Sequence, residues 1–372
     1  MLRLTVSLLS AMKLARLAAP RTSEPITTTS APRNAESVTT KLSPHSTASP
    51  TFSPADSPLA QAASETKERR LLEIQLMNYF CFDVCASLPG TYYPEIRRIW
   101  STVVPRLATN YDTLLNAMMT LALRHMLCMG FQGILPLEKI QFHHAQYLEA
   151  TLQEYRAVVG TLTPALADSA SFTSVVLSLD AFASLRDRDL SNYTAPVQWL
   201  QLCKGVTQVF RITLQLLKGD PDANINKVVA TSGAFVEPSK IMCDENRNMF
   251  PVLLERRLGD SDEDDQACID TVSYIGAIQS AIDGGEHIDI ITRRLIVYPV
   301  LFPQRFVELL DEHRPRALVI LAHFFAVAAH CHTSAWVGDT PRKEIQALAG
   351  FLAPEYQHEL AWPLSLVRQP GN

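Results

Sequence analysis

The sequence predicts an all-α protein, a single large helical domain preceded by a disordered N-terminal tail. Apolar residues recur at helical spacing through most of the chain after residue 65, and strand signals are few. The most apolar segment, RPRALVILAHFFAVAAH at 314–330, carries apolar groups on every side, as does a helix buried in a large domain. With 372 residues, the chain is long enough to bury a sizeable core.

The tail, residues 1–64, is predicted to be disordered. From 21 to 64 it is rich in Ser, Thr, Pro and Ala and has few large apolar groups, so it cannot bury enough apolar surface to fold. Residues 1–20 differ, because they combine several leucines with Arg3, Lys13 and Arg16 and have no acidic residue. That composition is typical of a mitochondrial transit peptide or a secretory signal, and a misplaced initiation codon would also explain it.

The helical domain, residues 65–368, is predicted to begin near Glu65 with a helix that ends before Pro89 and Gly90. A short helix with a break at Pro105 follows, and Asp112 is expected to cap the next helix. The acidic run DSDEDD at 260–265 is interpreted as a solvated loop between packed parts. Apolar periodicity predicts the remaining helices over 137–162, 171–185, 197–217, 267–282, 288–301, 314–330, 342–352 and 356–367.

The run 314–330 is too short to span a membrane, which takes about 20 apolar residues, and it is interrupted by His323. Arg316, His323 and His330 are spaced by seven and form one polar stripe on a helix. Two helical turns separate the histidines by about 10 Å, too far to share one metal ion. We therefore interpret His323 as a hydrogen-bonded core residue.

Motifs for cofactors and catalysis are absent from the sequence: there is no GxGxxG, GxxxxGK[ST], GxSxG or HExxH. His143 with His144, and His330 with Cys331 and His332, are the remaining metal candidates. Adjacent residues on a helix point about 100° apart, so we expect no metal and no cofactor. A net charge of −5 does not favour nucleic-acid binding, and seven scattered cysteines are typical of reduced thiols in an intracellular protein.

Five segments, taken in order, resemble the regulatory domain of fungal zinc-cluster transcription factors, and most closely the sterol uptake control protein group. The resemblance covers residues 71–367, and its specificity lies in the order of the segments. These are IRRIWSTVVPRLATNYDTLLNAMMTLALRHM (96–126), HHAQYLEATL (143–152), VQWLQLCKGVTQVF (197–210), RPRALVILAHFFAVAAH (314–330) and LAPEYQHELAWPLSLV (352–367).

The resemblance implies a six-cysteine zinc cluster and a low-complexity linker ahead of the helical domain. This sequence has no CxxC pair, so we expect no direct DNA binding by this chain. The residues before Glu65 resemble the linker. We expect either that the exon for the cluster has been lost or that the true start lies upstream.

The resemblance also implies a nuclear regulator that acts through protein partners or as a homo- or heterodimer. A lipophilic, sterol-like effector is expected, as is control of metabolic or biosynthetic genes. We expect its pocket between the helices at 197–210 and 314–330, lined by Trp199, Leu202, Cys203, Val206, Phe210, His323, Phe324, Phe325 and Trp336. Two alternatives remain open: an enzyme that uses His323 and His330 on a helical scaffold, and an imported mitochondrial helical protein.

Overall fold

The structure, a computed structural model, describes residues 58–130, 133, 135–231 and 237–368. Every regular element in these residues is a helix, which confirms the predicted all-α class. The transit-like opening and most of the predicted tail, residues 1–57, lie outside the described residues.

The first half of the domain consists of five long helical segments. The segments are α1 (Pro58–Tyr79, continued to Ser87), α2 (Pro94–Arg98, continued through Val104–Ala108), α3 (Asp112–Met129), α4 (Leu137–Gly160) and α5 (Pro164–Ala183). Helices α1 and α2 each contain one wider π-helical turn, at Phe80–Val84 in α1 and at Ile99–Val103 in α2.

The second half combines long helices with several short ones. They are α6 (Val197–Leu216), α7 (Asn224–Ala230), α8 (Pro238–Ile241), α9 (Asp244–Arg247), α10 (Asp262–Asp283), α11 (Ile288–Leu301), α12 (Gln304–Asp311), α13 (Pro315–Ala328), α14 (Thr340–Phe351) and α15 (Ala361–Arg368).

Four features of the first half differ from the prediction. Helix α5 begins at Pro164 rather than at Ser171, with the proline in its first turn. The first helix begins at Pro58 rather than near Glu65, because Pro favours the first helical turn and the residues after it include strong helix formers. The predicted break at Pro105 does not occur, since the wider turn before it accommodates the proline. Asp112 is the first residue of α3 and makes no capping hydrogen bond, so the predicted cap is wrong.

The prediction of a solvated loop at 260–265 is wrong. This acidic run forms the ordered start of α10. Ser261 accepts a hydrogen bond from the Asp264 backbone, while the Asp264 side chain accepts one from the Ser261 backbone. Negative side chains are stabilised here because the helix N-terminus carries partial positive charge. Asp260 and Asp265 both pair with the buried Arg316 of α13.

Most of the buried apolar side chains form two large clusters. The N-terminal cluster consists mainly of side chains from α1–α5 and α7, and also contains Trp336. The C-terminal cluster consists mainly of side chains from α6 and α10–α14. Helix α13 lies at the centre of the C-terminal cluster, with all of its residues from Arg316 to Ala328 buried, as the sequence predicts for the run 314–330.

By length and apolar composition alone, one helix of the described residues, Pro164–Asp187, could cross a membrane. In the fold, 72% of its most apolar window is buried, and α5 packs against α3 and α6. A core helix has the same composition, so its packing accounts for its apolar character.

Candidate functional site

A cleft of about 980 Å³, here the large cleft, lies between the end of α1, the end of α3 and the start of α11. Residues 333–335, which follow α13, complete its wall. Its lining mixes apolar and polar side chains, among them Tyr79, Asp83, Arg97, His125, His287 and Asp289.

His125 is the most buried titratable group of the large cleft. Its Nδ1 shares a 2.8 Å hydrogen bond with the Tyr79 hydroxyl, and its ring lies 5.1 Å from the Trp336 ring. Burial lowers the pKa of His125 to about 4 and raises the pKa of Tyr79 to about 12, so both groups are neutral near pH 7. Trp336 Nε1 donates to the Ser87 carbonyl at 2.8 Å, which ties the residues after α13 to α1.

Asp289, at the start of α11, joins the two halves of the chain beside the large cleft. Its carboxylate accepts hydrogen bonds from the backbone N–H groups of Gly90, at 3.1 Å, and Tyr92, at 2.7 Å. The Tyr92 ring stacks on His287 at 4.3 Å. These contacts hold the connection between α1 and α2 against the start of α11.

The side chains predicted to line a lipophilic pocket are distributed over several parts of the core. Trp199 and Phe324 lie with their rings 6.0 Å apart in the C-terminal cluster, which also contains Cys203 and Phe325. Trp336 belongs to the N-terminal cluster.

The other members of the predicted set lie elsewhere on α6 and α13. Leu202 packs in a third, smaller cluster, Phe210 packs against the N-terminal cluster, and Val206 is buried. The lining of the large cleft includes none of the nine residues. The lipophilic pocket therefore stays a prediction.

His323 is a buried, hydrogen-bonded residue, as interpreted from the sequence. Its Nδ1–H donates to the Val319 carbonyl at 2.9 Å, and burial lowers its pKa to about 4. His323 also lines a second cleft of about 460 Å³, here the small cleft. His330 donates separately to the Val327 carbonyl at 3.3 Å, so each histidine is bonded to its own stretch of backbone.

The histidine pairs considered as metal ligands have other partners. His144 Nε2 donates to Asp180 Oδ1 at 2.7 Å, and His143 hydrogen-bonds with Gln146. In the part of the chain that the structure describes, no group of three or more His, Cys, Asp or Glu side chains is placed to hold a metal ion.

A buried ionic network connects α3, α4 and α5. Arg124, whose side chain is 1% exposed, donates to Asp180 at 3.0 Å and to Asp187 at 2.7 Å, while His144 donates to Asp180. Burial alone would raise the pKa of Asp180, but the charge of Arg124 and the hydrogen bonds from Arg124 and His144 outweigh it and hold that pKa well below its usual range. Because each charge has hydrogen-bonded partners, the network can exist inside the core.

Sequence reasoning missed this network, although a signal for it exists. Arg124 lies within LALRHML and Asp180 within LSLDAFA, so each charge interrupts an apolar helical run. A charged side chain in such a run is almost never buried without a partner. The two opposite charges are therefore candidates for pairing on the sequence alone.

The described residues thus form an all-helical domain with buried ion pairs and two open clefts. No family model matches the chain. It is 30% identical over 274 residues to the Zn(2)-C6 fungal-type transcription factor afumD of Aspergillus fumigatus. The matched segment covers 72% of this chain and 70% of that protein.

A second relative, from Gibberella zeae, is also named a Zn(2)-C6 fungal-type transcription factor. It is 25% identical over 324 residues, which is 82% of this chain and 63% of the relative. The chain therefore belongs to the Zn(2)-C6 fungal-type transcription factor family. The sterol uptake control subgroup stays a prediction.

Proposed function

We propose that the chain regulates transcription in the nucleus and does so through protein partners. The observation that carries this proposal is the 30% identity over 274 residues to a transcription factor. A match of that length cannot fit within residues 1–57 and must include much of the helical domain. Both relatives are named as transcription factors rather than as enzymes, which supports a role without catalysis.

We propose that these 372 residues contribute regulation rather than DNA contact. They contain no CxxC pair with which to build a six-cysteine zinc cluster, and their net charge is −5. Binding to the phosphate backbone depends on clustered Lys and Arg, and an acidic chain does not favour it.

Protein partners, including a second copy of the chain, are supported by apolar side chains on the surface of α1. Leu71, Ile74 and Phe82 are 51%, 65% and 72% exposed. Exposed apolar side chains of this size favour association when they lie close together. The sterol-like effector and the control of biosynthetic genes are further parts of the proposal, and they rest on the family resemblance.

A tethering experiment tests the regulatory role. The full chain is fused to an unrelated DNA-binding domain, and transcription of a reporter gene with matching sites is measured. We expect reporter transcription to rise or fall at least threefold relative to the DNA-binding domain alone. The control is Leu321→Asp, which places a charge in the buried face of α13 and should abolish the effect by unfolding the domain.

A fluorescent fusion tests the location. Nuclear fluorescence is expected, and mitochondrial fluorescence would contradict the proposal and favour the imported alternative.

The variant His323→Gln tests the enzyme alternative, because a core role predicts altered stability whereas a catalytic role predicts a folded protein without turnover.

A further inference from the structure

The small cleft lies between α10, α13 and the residues around the start of α15, among them Glu359 and Trp362. Its volume, about 460 Å³, falls within the range of roughly 300–1,000 Å³ typical of small-molecule sites. One part of its wall is apolar and aromatic, and includes Phe250 and Trp362. Another part is polar and includes Gln279, His323 and Glu359.

The aromatic wall offers a flat surface to a ligand. The Trp362 ring stacks on His323 with the centroids 5.5 Å apart and the planes at 27°, and Phe250 lies 5.0 Å from Trp362. His323 and Phe250 are buried, whereas Trp362 is only partly buried, so part of the indole remains accessible from the cleft. Planar apolar groups and cations both bind such faces.

Glu359 brings a buried carboxylate to the wall of the small cleft. Its side chain is 1% exposed, and Oε1 accepts a hydrogen bond from Arg257. The other oxygen, Oε2, is buried and has no hydrogen-bond partner among the described residues. A buried acceptor without a partner is destabilising, so a donor group on a ligand that reaches Oε2 would remove an existing penalty.

Two further acceptors belong to the same wall. Gln279 Nε2 donates to Asp283 at 2.7 Å, which fixes the orientation of the amide, and its buried Oε1 has no partner among the described residues. His323 donates through Nδ1, so the Nε2 of its neutral ring is an acceptor. The wall therefore combines three acceptors, on Gln279, His323 and Glu359, with one further carboxylate, that of Asp283.

We propose that the small cleft binds a small molecule that carries a protonated primary amine on a planar apolar body. An ammonium group has three donors and no acceptor, which matches the three acceptors of the wall. The Asp283 carboxylate attracts its positive charge and repels an anionic ligand, while Arg257 balances the charge of Glu359 and leaves Oε2 as an acceptor. The planar body stacks on Trp362. This proposal does not rest on the regulatory role, because binding is a property of the isolated chain.

Calorimetric titration of the purified full chain tests the ligand class with three indole compounds of similar size. Tryptamine carries an amine, tryptophol a neutral hydroxyl and indole-3-acetate a carboxylate. We expect tryptamine to bind at least tenfold more tightly than tryptophol, and indole-3-acetate not to bind. Equal affinity for all three compounds, or no heat from tryptamine at millimolar concentration, would overturn the proposal.

Variants of the wall locate the site. Glu359→Gln should weaken tryptamine at least tenfold and leave tryptophol unchanged, because a charged hydrogen bond is lost while the shape is kept. Glu355→Gln is the matched control, since this nearby glutamate is exposed and does not line the cleft.

A second variant keeps the test informative if Glu359→Gln does not fold. Ala361 is exposed at the edge of the small cleft, so Ala361→Trp should occupy the cleft and abolish binding of both tryptamine and tryptophol without changing the circular dichroism spectrum. Unchanged tryptamine affinity in a folded Glu359→Gln or Ala361→Trp protein would place the ligand elsewhere and contradict the proposal.

Discussion

At the scale of single residues, the closest backbone contact of a glycine is that of Gly276 in α10 with Asn246. A Cβ atom at this position would lie 1.8 Å from the Asn246 carbonyl oxygen, which belongs to backbone and cannot rotate away. Gly276→Ala should therefore lower the free energy of unfolding by about 2 kcal/mol or more, because α9 must move. Urea denaturation measures the difference.

The control is Gly350→Ala in α14, where a Cβ atom would meet nothing within 4 Å. This change should stabilise the protein by about 0.5–1 kcal/mol, since Ala is the better helix former. Equal stability of the two variants would contradict the close contact between α10 and Asn246.

The buried histidines predict how stability depends on pH. Burial lowers the folded pKa of His125 and His323 to about 4 from an ordinary 6.5. Each neutral ring therefore stabilises the fold fully above pH 6.5, and this contribution is lost as the pH falls towards 4. At pH 5 the loss is about 2 kcal/mol per histidine, at 1.36 kcal/mol for each pH unit.

Urea denaturation at pH 7.5 and pH 5.0 checks this prediction with His323→Gln. The variant should lose about 2 kcal/mol less than the parent protein on acidification, because one titrating group has been removed. An identical loss in both proteins would show that His323 titrates normally and is not buried as described.

In the ionic network, we expect substitution of Asp180 to lower the free energy of unfolding most. Asp180→Asn leaves Arg124 buried with its main partner neutralised, so we expect a loss of about 3–5 kcal/mol in the free energy of unfolding. The folded pKa of Asp180 is depressed, so its stabilisation is complete above about pH 4 and declines on further acidification.

Asp187→Asn is the matched control, because the side chain of Asp187 is 40% exposed although it contacts the same arginine. Its loss should not exceed about 1 kcal/mol, as for other exposed ion pairs. Similar losses in both variants would argue against a dry environment around Arg124.

At the scale of elements, the start of α10 depends on its capping residue. Ser261→Ala removes the acceptor for the Asp264 N–H and should cost about 1 kcal/mol. Ser280→Ala, at an exposed position of the same helix, should change stability by less than about 0.5 kcal/mol. Thermal denaturation of both variants makes the comparison, and equal midpoints would contradict the cap.

The helices themselves could be predicted from apolar spacing, whereas some of their ends could not. The acidic run at 260–265 has a composition that is typical of loops, but the Ser261–Asp264 cap and partners on α12 and α13 order it. Arg305, Arg314 and Arg316 come from parts of the chain that follow about forty residues or more later, so local sequence cannot reveal the pairing.

At the scale of the whole molecule, burial could be predicted but the assignment of side chains to sites could not. α13 is central, as expected, yet the aromatic side chains near it face different partners. Phe324 lies near Trp199, His323 stacks on Trp362, and Trp336 reaches across to the N-terminal cluster. Helical periodicity identifies a buried face, but not which neighbouring helix covers it.

The two clefts follow from the same whole-molecule packing. Their walls combine residues far apart in sequence, such as Tyr79 with Asp289 in the large cleft and Phe250 with Glu359 in the small cleft. No motif marks either cleft, because the lining residues belong to helices that pack for other reasons.

The central claim is that this helical domain acts in the control of transcription, and transcript profiling tests it most directly. Messenger RNA is sequenced from cells without the gene, and from the same cells supplied with either the parent chain or Leu321→Asp. We predict that a defined set of transcripts changes on deletion and is restored by the parent chain but not by the variant. Identical transcript levels in all strains would contradict the claim.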